Sequence, residues 1–233
     1  MEQRSLAINQ EYAIPQLNVN LATNQTVAGL CRIIETKPFN WNTLLGTVRT
    51  IRDADRTSMH GLVAELHLQQ LLGQTAIPLR IDPIASGTQT DSYSFRKDSK
   101  GRLVAYDQQG RTVAEYDALI EADGLPVVIE VKASNRASRG STSHSLDTAL
   151  TVGGINRRFA PLKEYYNTNT FGYIVTTTRN AIQPNSLTQQ CFQERGGILI
   201  PLPASLKDIK GAIKATVFDD DLRTLQKKHN RRA

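Results

Sequence analysis

The sequence predicts an α/β chain with a sheet of mixed strand direction and a helical extension ahead of it. Three observations carry this. Short apolar runs separated by Gly, Asn and Asp turn signals fill residues 77–134. From residue 146 onward, helical spacing of apolar residues alternates with strand-like runs. Hairpins followed by a β-α-β alternation imply antiparallel and parallel pairing in one chain.

Taken in order, residues 1–25 are rich in Asn and Gln and show little periodicity, so they are expected to form an irregular arm. Val27, Leu30, Ile33 and Ile34 predict a helix over Thr26–Glu35, and Leu44, Leu45 and Val48 another over Asn42–Asp53. Ser58 is positioned as the N-cap of a stronger helix, Met59–Leu72, which Gly73 ends. Strands are expected at Ile77–Ile81, Tyr93–Arg96, Arg102–Asp107 and Thr112–Glu121, the last three as a meander. Asp123-Gly124 then turns the chain into Pro126–Ser134, the clearest strand of the sequence. A helical region within Leu146–Tyr166 is expected to be interrupted at Gly153-Gly154 and Pro161. A strand at Phe171–Thr178, a helix at Asn185–Arg195, a strand at Ile198–Leu202 and a helix at Ser205–Val217 complete the pattern. The organisation is therefore an extension over 1–57, a core over 58–218 and a basic tail over 219–233.

The chain has 233 residues, 39% of them hydrophobic and 21% charged, which excludes disordered and fibrous classes. No apolar run approaches the roughly 18 residues of a membrane span. Nor does the start, MEQRSLAINQEYAIPQ, carry an apolar stretch that would export it. Cys31 and Cys191 lie far apart with no metal-ligand spacing. A reducing, cytoplasmic setting is expected. Net charge is +6 but unevenly placed: residues 58–131 hold 6 basic and 10 acidic residues, and residues 132–233 hold 16 and 7. A basic half beside an acidic middle suits a polyanionic partner with carboxylates gathered at one site.

Side chains alternate along Pro126–Ser134. Val127, Ile129, Val131 and Ala133 make one face wholly apolar, while Glu130 and Lys132 are neighbours on the other. Charges on such a strand are costly unless paired or bound to a metal. The preceding strand carries Asp117 on one face with Glu115, Leu119 and Glu121, and a hairpin would set Asp117 beside Glu130. Two carboxylates so placed suit one hard divalent cation. On the helix Met59–Leu72, Glu65 falls on the line of Leu62, Leu68, Gln69 and Leu72, interrupting an apolar stripe. Its alternative role is that of a partly exposed edge residue.

Asp117 followed thirteen residues later by Glu130-Val131-Lys132 resembles the PD-(D/E)XK nuclease superfamily. The helix GLVAELHLQQLLG, which bears Glu65, resembles the one preceding the hairpin in the branch containing Holliday-junction resolvases. The resemblance covers roughly Ser58–Leu202. It implies a restriction-endonuclease-like core, with a mixed central sheet of about four or five strands and a helix on each face. It implies Mg²⁺- or Mn²⁺-dependent hydrolysis of phosphodiester bonds in DNA. Asp117, Glu130 and the Val131 carbonyl would hold the metal, with Glu65 binding it directly or through water. Lys132 would orient or help deprotonate the attacking water. Two departures stand out. Tyr116 occupies the motif's leading proline position, and Asn156, Arg157 and Arg158 stand where some branches carry Gln.

Arg157 and Arg158 could reach a phosphate or form a solvated helix face. The loop after the strand carries Arg136 and Arg139 and no acid through His144, which suits nucleic-acid backbone contacts; a plain flexible loop is the alternative. His60 and His67 are expected to be surface bystanders. The expected activity is endonucleolytic and selective for branched DNA. A sequence-specific restriction-type enzyme, an RNA substrate and a non-catalytic nucleic-acid-binding module are the alternatives. Cutting two strands in symmetry calls for two sites, so a homodimer is expected. Leu30, Ile33, Ile34, Trp41, Leu44 and Leu45 are candidates for its contact, unless they pack on their own core.

Overall fold

The computed structural model of the chain describes residues 16–17, 23–50, 59–99, 101–133, 146, 149–182 and 186–215. The 57/58 boundary and the basic tail 219–233 lie outside these residues. The fold is α/β, with a mixed central sheet flanked by helices and a helical segment at the N-terminal side.

The central sheet is built on a hairpin. Strand β6 (Ala118–Ala122) pairs antiparallel with β7 (Leu125–Lys132), with Ala118 opposite Ile129. Asp123 and Gly124 join them at φ 53° and 76°. Both turn residues are thus left-handed, the two-residue turn whose twist matches the strands it joins. Strand β8 (Thr170–Thr177) runs parallel to β7, and β9 (Ile198–Pro201) parallel to β8. The two-residue β1 (Gln16–Leu17) pairs with the start of β8, and β2 (Arg80–Ile81) with β6. The expected strand at Ile77–Ile81 is therefore shorter. Pro78 lacks a donor for a ladder there.

Three helices cover one face. Asn24 caps α1 (Gln25–Thr36), its side chain accepting from the Val27 N–H at 2.8 Å. Helices α2 (Trp41–Thr50) and α3 (Met59–Gln74) follow. Val27, Leu30, Ile34, Leu44, Val63 and Leu68 join Val127, Ile129 and Val131 in one core. The apolar face expected of the β7 strand packs on these helices, and its other face is buried as well, with Val128 in the second core. Leu30, Ile34 and Leu44 are fully enclosed by their own chain and are not available for a dimer contact, whereas Ile33, Trp41 and Leu45 are half-buried. The extension is an additional helical layer.

The other face receives α4 (Val152–Tyr166), α5 (Leu187–Glu194) and a second, antiparallel sheet of β3 (Tyr93–Lys97), β4 (Leu103–Asp107) and β5 (Thr112–Tyr116). The expected meander forms, but Thr112–Glu121 is not one strand. It breaks at Asp117, where the chain leaves the three-stranded sheet for the central one. Helix α4 passes through Gly153, Gly154 and Pro161 without the expected interruption. The glycines fall in its first turn, next to the Thr151 side chain that caps it, and first-turn N–H groups have no intrahelical partner to lose. Pro161 is held by packing, since it is buried with Ile155, Phe159 and Leu162. Helix α6, residues 206–215, closes the described chain and buries Ile209 in the first core.

Gly197 follows α5 in contact with a fully buried Phe192. A methyl group there would fall inside the van der Waals envelope of the Phe192 ring. Gly197→Ala is expected to cost about 1–3 kcal/mol, the usual penalty for overpacking. Urea denaturation checks this, and an unchanged midpoint would contradict it.

His67 is not a surface bystander. It is 1% exposed and stacks on Phe39, with ring centroids 3.8 Å apart. Neither ring nitrogen makes a hydrogen bond of good geometry. Burial pushes its pKa from 6.5 down to about 4, weakly opposed by the Lys37 backbone. Between those values the unfolded chain binds the proton and the folded chain does not. Stability is therefore complete above about pH 6.5 and falls as pH drops toward 4. The loss amounts to about 3 kcal/mol. Denaturation at several pH values should show this slope in the wild type and a shallower one in His67→Leu. Equal slopes would refute it.

Candidate active site

The break at Asp117 creates a site. Its Oδ2 accepts the Val131 N–H at 2.8 Å. The β6–β7 ladder ends at Ala118–Ile129, so this carboxylate satisfies a donor beyond the ladder's end. Asp117 is thereby fixed against the outgoing half of β7, its side chain 6% exposed.

Glu130 and Lys132 lie on the β7 face opposite the α1–α3 core, as alternation requires. Glu130 is 2% exposed, and its Oε1 takes both the Lys132 ammonium and Arg158 Nη2, the latter at 3.0 Å. Its Oε2 is buried and has no hydrogen-bond partner among the described residues. Burial pushes the Glu130 carboxyl above its ordinary range, and the Asp117 charge pushes it further; Lys132 and Arg158 pull the other way.

Arg158, on α4, does not stand on a solvated face. It is mostly buried, with Nη1 donating to the Tyr173 hydroxyl at 2.9 Å and Nη2 to Glu130. Tyr173 donates in turn to the Ala149 carbonyl at 3.2 Å. Tyr116 donates to the Arg158 carbonyl at 2.8 Å. Burial raises the pKa of both phenols, so they serve as neutral donors. Arg158 thus orients Glu130 from behind. Arg157, its neighbour, is exposed.

These side chains open on a cleft of about 310 Å³. Glu65, Glu115, Asp117 and Glu130 line it together with Arg102, Lys132, Arg157 and Arg158, four carboxylates against four cations. Glu65, half-buried on α3, does interrupt an apolar stretch and does border the cleft. Arg136 and Arg139 lie outside the described residues. A larger hollow of about 530 Å³, on the three-stranded sheet between Gln89 and Gly110, shares no residue with this cleft.

Two participants escape the sequence pattern, Arg102 and Tyr173. Arg102 was legible in principle. Leu103 pairs with Tyr116, so one step along the ladder sets Arg102 across from Asp117. Tyr173 reads only as a core residue of an apolar strand.

Among the described residues, no three of His, Cys, Asp and Glu stand close enough to hold a metal ion between them. Both members of the pair are carboxylates, the oxygen donors that hard divalent cations take. The Asp117 charge opposes that of Glu130, and the Glu130 Oε2 is buried with no hydrogen-bond partner among the described residues. Glu65 stands apart from that pair as a third carboxylate on the cleft.

No protein-family description matches the chain, and no curated protein does. Among solved structures, it is similar to the crystal structure of protein VC1899 from Vibrio cholerae, at 14% identity and a TM-score of 0.29. The match covers 90% of this chain and 55% of that one, so the chain spans about half its length. Among the described residues, no helix is long and apolar enough to cross a membrane.

Proposed function

We propose that the chain is a metal-dependent nuclease that hydrolyses phosphodiester bonds in DNA, selective for branched structures and working as a homodimer. The observation that carries the proposal is the meeting of Asp117, Glu130 and Lys132 on one cleft whose remaining wall includes Glu65. These residue types at this spacing resemble those of the PD-(D/E)XK nucleases.

Asp117, Glu130 and the Val131 carbonyl would hold Mg²⁺ or Mn²⁺. What such an ion supplies when bound is charge neutralisation at the phosphate and a lowered pKa for water. The protein's own residues do the rest. The Val131 N–H fixes Asp117. Arg158 holds Glu130 in one orientation, leaving Oε2 for the ion. Lys132 keeps its ammonium beside Glu130, where it can orient the attacking water and meet a phosphate oxygen. Four carboxylates balance four cations in the lining, so a bound divalent ion would make the cleft net positive and strengthen its hold on an anionic diester.

Plasmid, four-way junction, linear duplex, single-stranded DNA and RNA, each with Mg²⁺, Mn²⁺ or EDTA, form the test. Metal-dependent cleavage strongest on the junction supports the whole proposal. Cleavage at one sequence in linear duplex supports the restriction-type alternative. Binding without cleavage in any metal supports a non-catalytic module. Light scattering decides the dimer.

DNA affinity is expected to fall steeply with salt, because each phosphate neutralised by Lys or Arg releases condensed counterions. The basis is the excess of 16 basic over 7 acidic residues in 132–233. A flat response between about 50 and 200 mM salt would contradict it.

A further inference from the structure

Arg102 enters the cleft from the three-stranded sheet. Its backbone and side chain are fixed on one side. The Arg102 N–H donates to Asp98 Oδ1 and its Nε to Asp98 Oδ2, both at 2.9 Å. Nη2 lies 2.8 Å from Asp98 Oδ2 and 3.1 Å from Glu115 Oε2. The guanidinium is 15% exposed, and two carboxylates set its plane. Nη1 differs from the other nitrogens. It makes no hydrogen bond to a described residue, and Asp117 Oδ1 lies 3.9 Å away, beyond hydrogen-bond range.

The other cations of the inner cleft are tied to Glu130, although the Arg158 Nε is buried with no hydrogen-bond partner among the described residues. Lys132 and Arg158 both donate to Glu130 Oε1. Arg102 is therefore a rigid, permanently charged donor with one nitrogen turned to the space beside Asp117. Guanidinium donors clamped from behind suit the oxygens of a phosphoryl group.

We propose that Arg102 is a substrate-binding residue of this cleft, its Nη1 bonding a non-bridging oxygen of a nucleic-acid phosphate seated beside Asp117. This rests on the nuclease reading for its choice of ligand. It differs in what it assigns, because Arg102 lies outside the Asp117–Lys132 motif, in the turn just before β4.

The test uses the full chain in EDTA, so that binding is read without turnover. Fluorescence anisotropy with a labelled junction and a labelled duplex gives affinity against salt for wild type, Arg102→Gln and Arg102→Lys. Loss of one phosphate contact should flatten the log–log salt slope by about 0.9 in Arg102→Gln. Arg102→Lys keeps a cation and should keep the slope, with weaker binding because the fork is lost. A second arm follows the thermal midpoint against inorganic phosphate, which should raise it for wild type and not for Arg102→Gln. Thermal melting without ligand establishes that each variant is folded. If Arg102→Gln does not fold, Arg102→Lys carries the decision: a slope reduced by a full contact despite the retained charge overturns the proposal.

A folded Arg102→Gln with the wild-type slope and wild-type phosphate response also overturns it, even if cleavage still depends on Asp117. Conversely, a protein that binds phosphate and DNA through Arg102 but cleaves nothing in Mg²⁺ or Mn²⁺ upholds this inference and removes the nuclease reading.

Discussion

Replacing Asp117 with Ala is expected to slow DNA cleavage by about 10³-fold or more while leaving DNA affinity within a few-fold of wild type. The carboxylate sits at the bend between β5 and β6, where the chain passes from the three-stranded sheet to the central one, and β7 holds it through the Val131 N–H at 2.8 Å. Removing it deletes half of the oxygen pair on which the proposed metal depends. On the proposed reading affinity should survive, because it would rest on many phosphate contacts spread over the basic half of the chain. Asp117→Asn separates chemistry from structure. The amide oxygen can still accept from Val131, so folding should be retained while activity is lost. Single-turnover cleavage and anisotropy on the same preparations measure both. Cleavage by Asp117→Ala near the wild-type rate would place the chemistry elsewhere.

Arg158→Met is expected to lower unfolding stability by about 3–5 kcal/mol, the cost of removing one partner from a buried charge pair. Arg158 is 17% exposed and Glu130 2%, so solvent gives little compensation. Its loss strips a hydrogen bond from the Tyr173 hydroxyl and a cation from Glu130. Only Lys132 would then face the Glu130 charge among the described residues. Tyr173→Phe should cost less, about 1–3 kcal/mol, because it leaves the Arg158–Glu130 contact in place. Guanidinium denaturation of both variants checks the order. An Arg158→Met loss under about 1 kcal/mol would show that the network does not hold Glu130.

Much of the fold was readable because period and turn chemistry agreed. The alternation of Val127, Ile129 and Val131 against Glu130 and Lys132 needed only a strand, and Asp123-Gly124 needed only its preferred turn. What stayed hidden depends on partners distant in sequence. Thr112–Glu121 reads as one alternating strand, and nothing local marks the bend at Asp117. At that bend the chain changes sheets, and the Asp117 carboxylate accepts the Val131 N–H. Pro161 reads as a helix breaker until its burial against the second core is known. His67 reads as exposed because Phe39, which covers it, belongs to the segment between α1 and α2. Arg158 reads as either a phosphate contact or part of a solvated helix face, and its burial against Tyr173 and Glu130 is not visible in a strand pattern. The identification of Glu65, Asp117, Glu130 and Lys132 with one cleft rested on residue type and period together, and neither alone would have gathered them.

The most direct measurement of the central claim is cleavage of a labelled four-way junction by wild type and Glu130→Gln, side by side, in Mg²⁺ and in EDTA. Gln keeps the shape and an acceptor for Arg158 and Lys132 but removes the charge that would hold the ion. The account predicts cleavage by wild type in Mg²⁺, none in EDTA, and none by a folded Glu130→Gln in either. Cleavage by wild type in EDTA, or by Glu130→Gln at the wild-type rate in Mg²⁺, would contradict it.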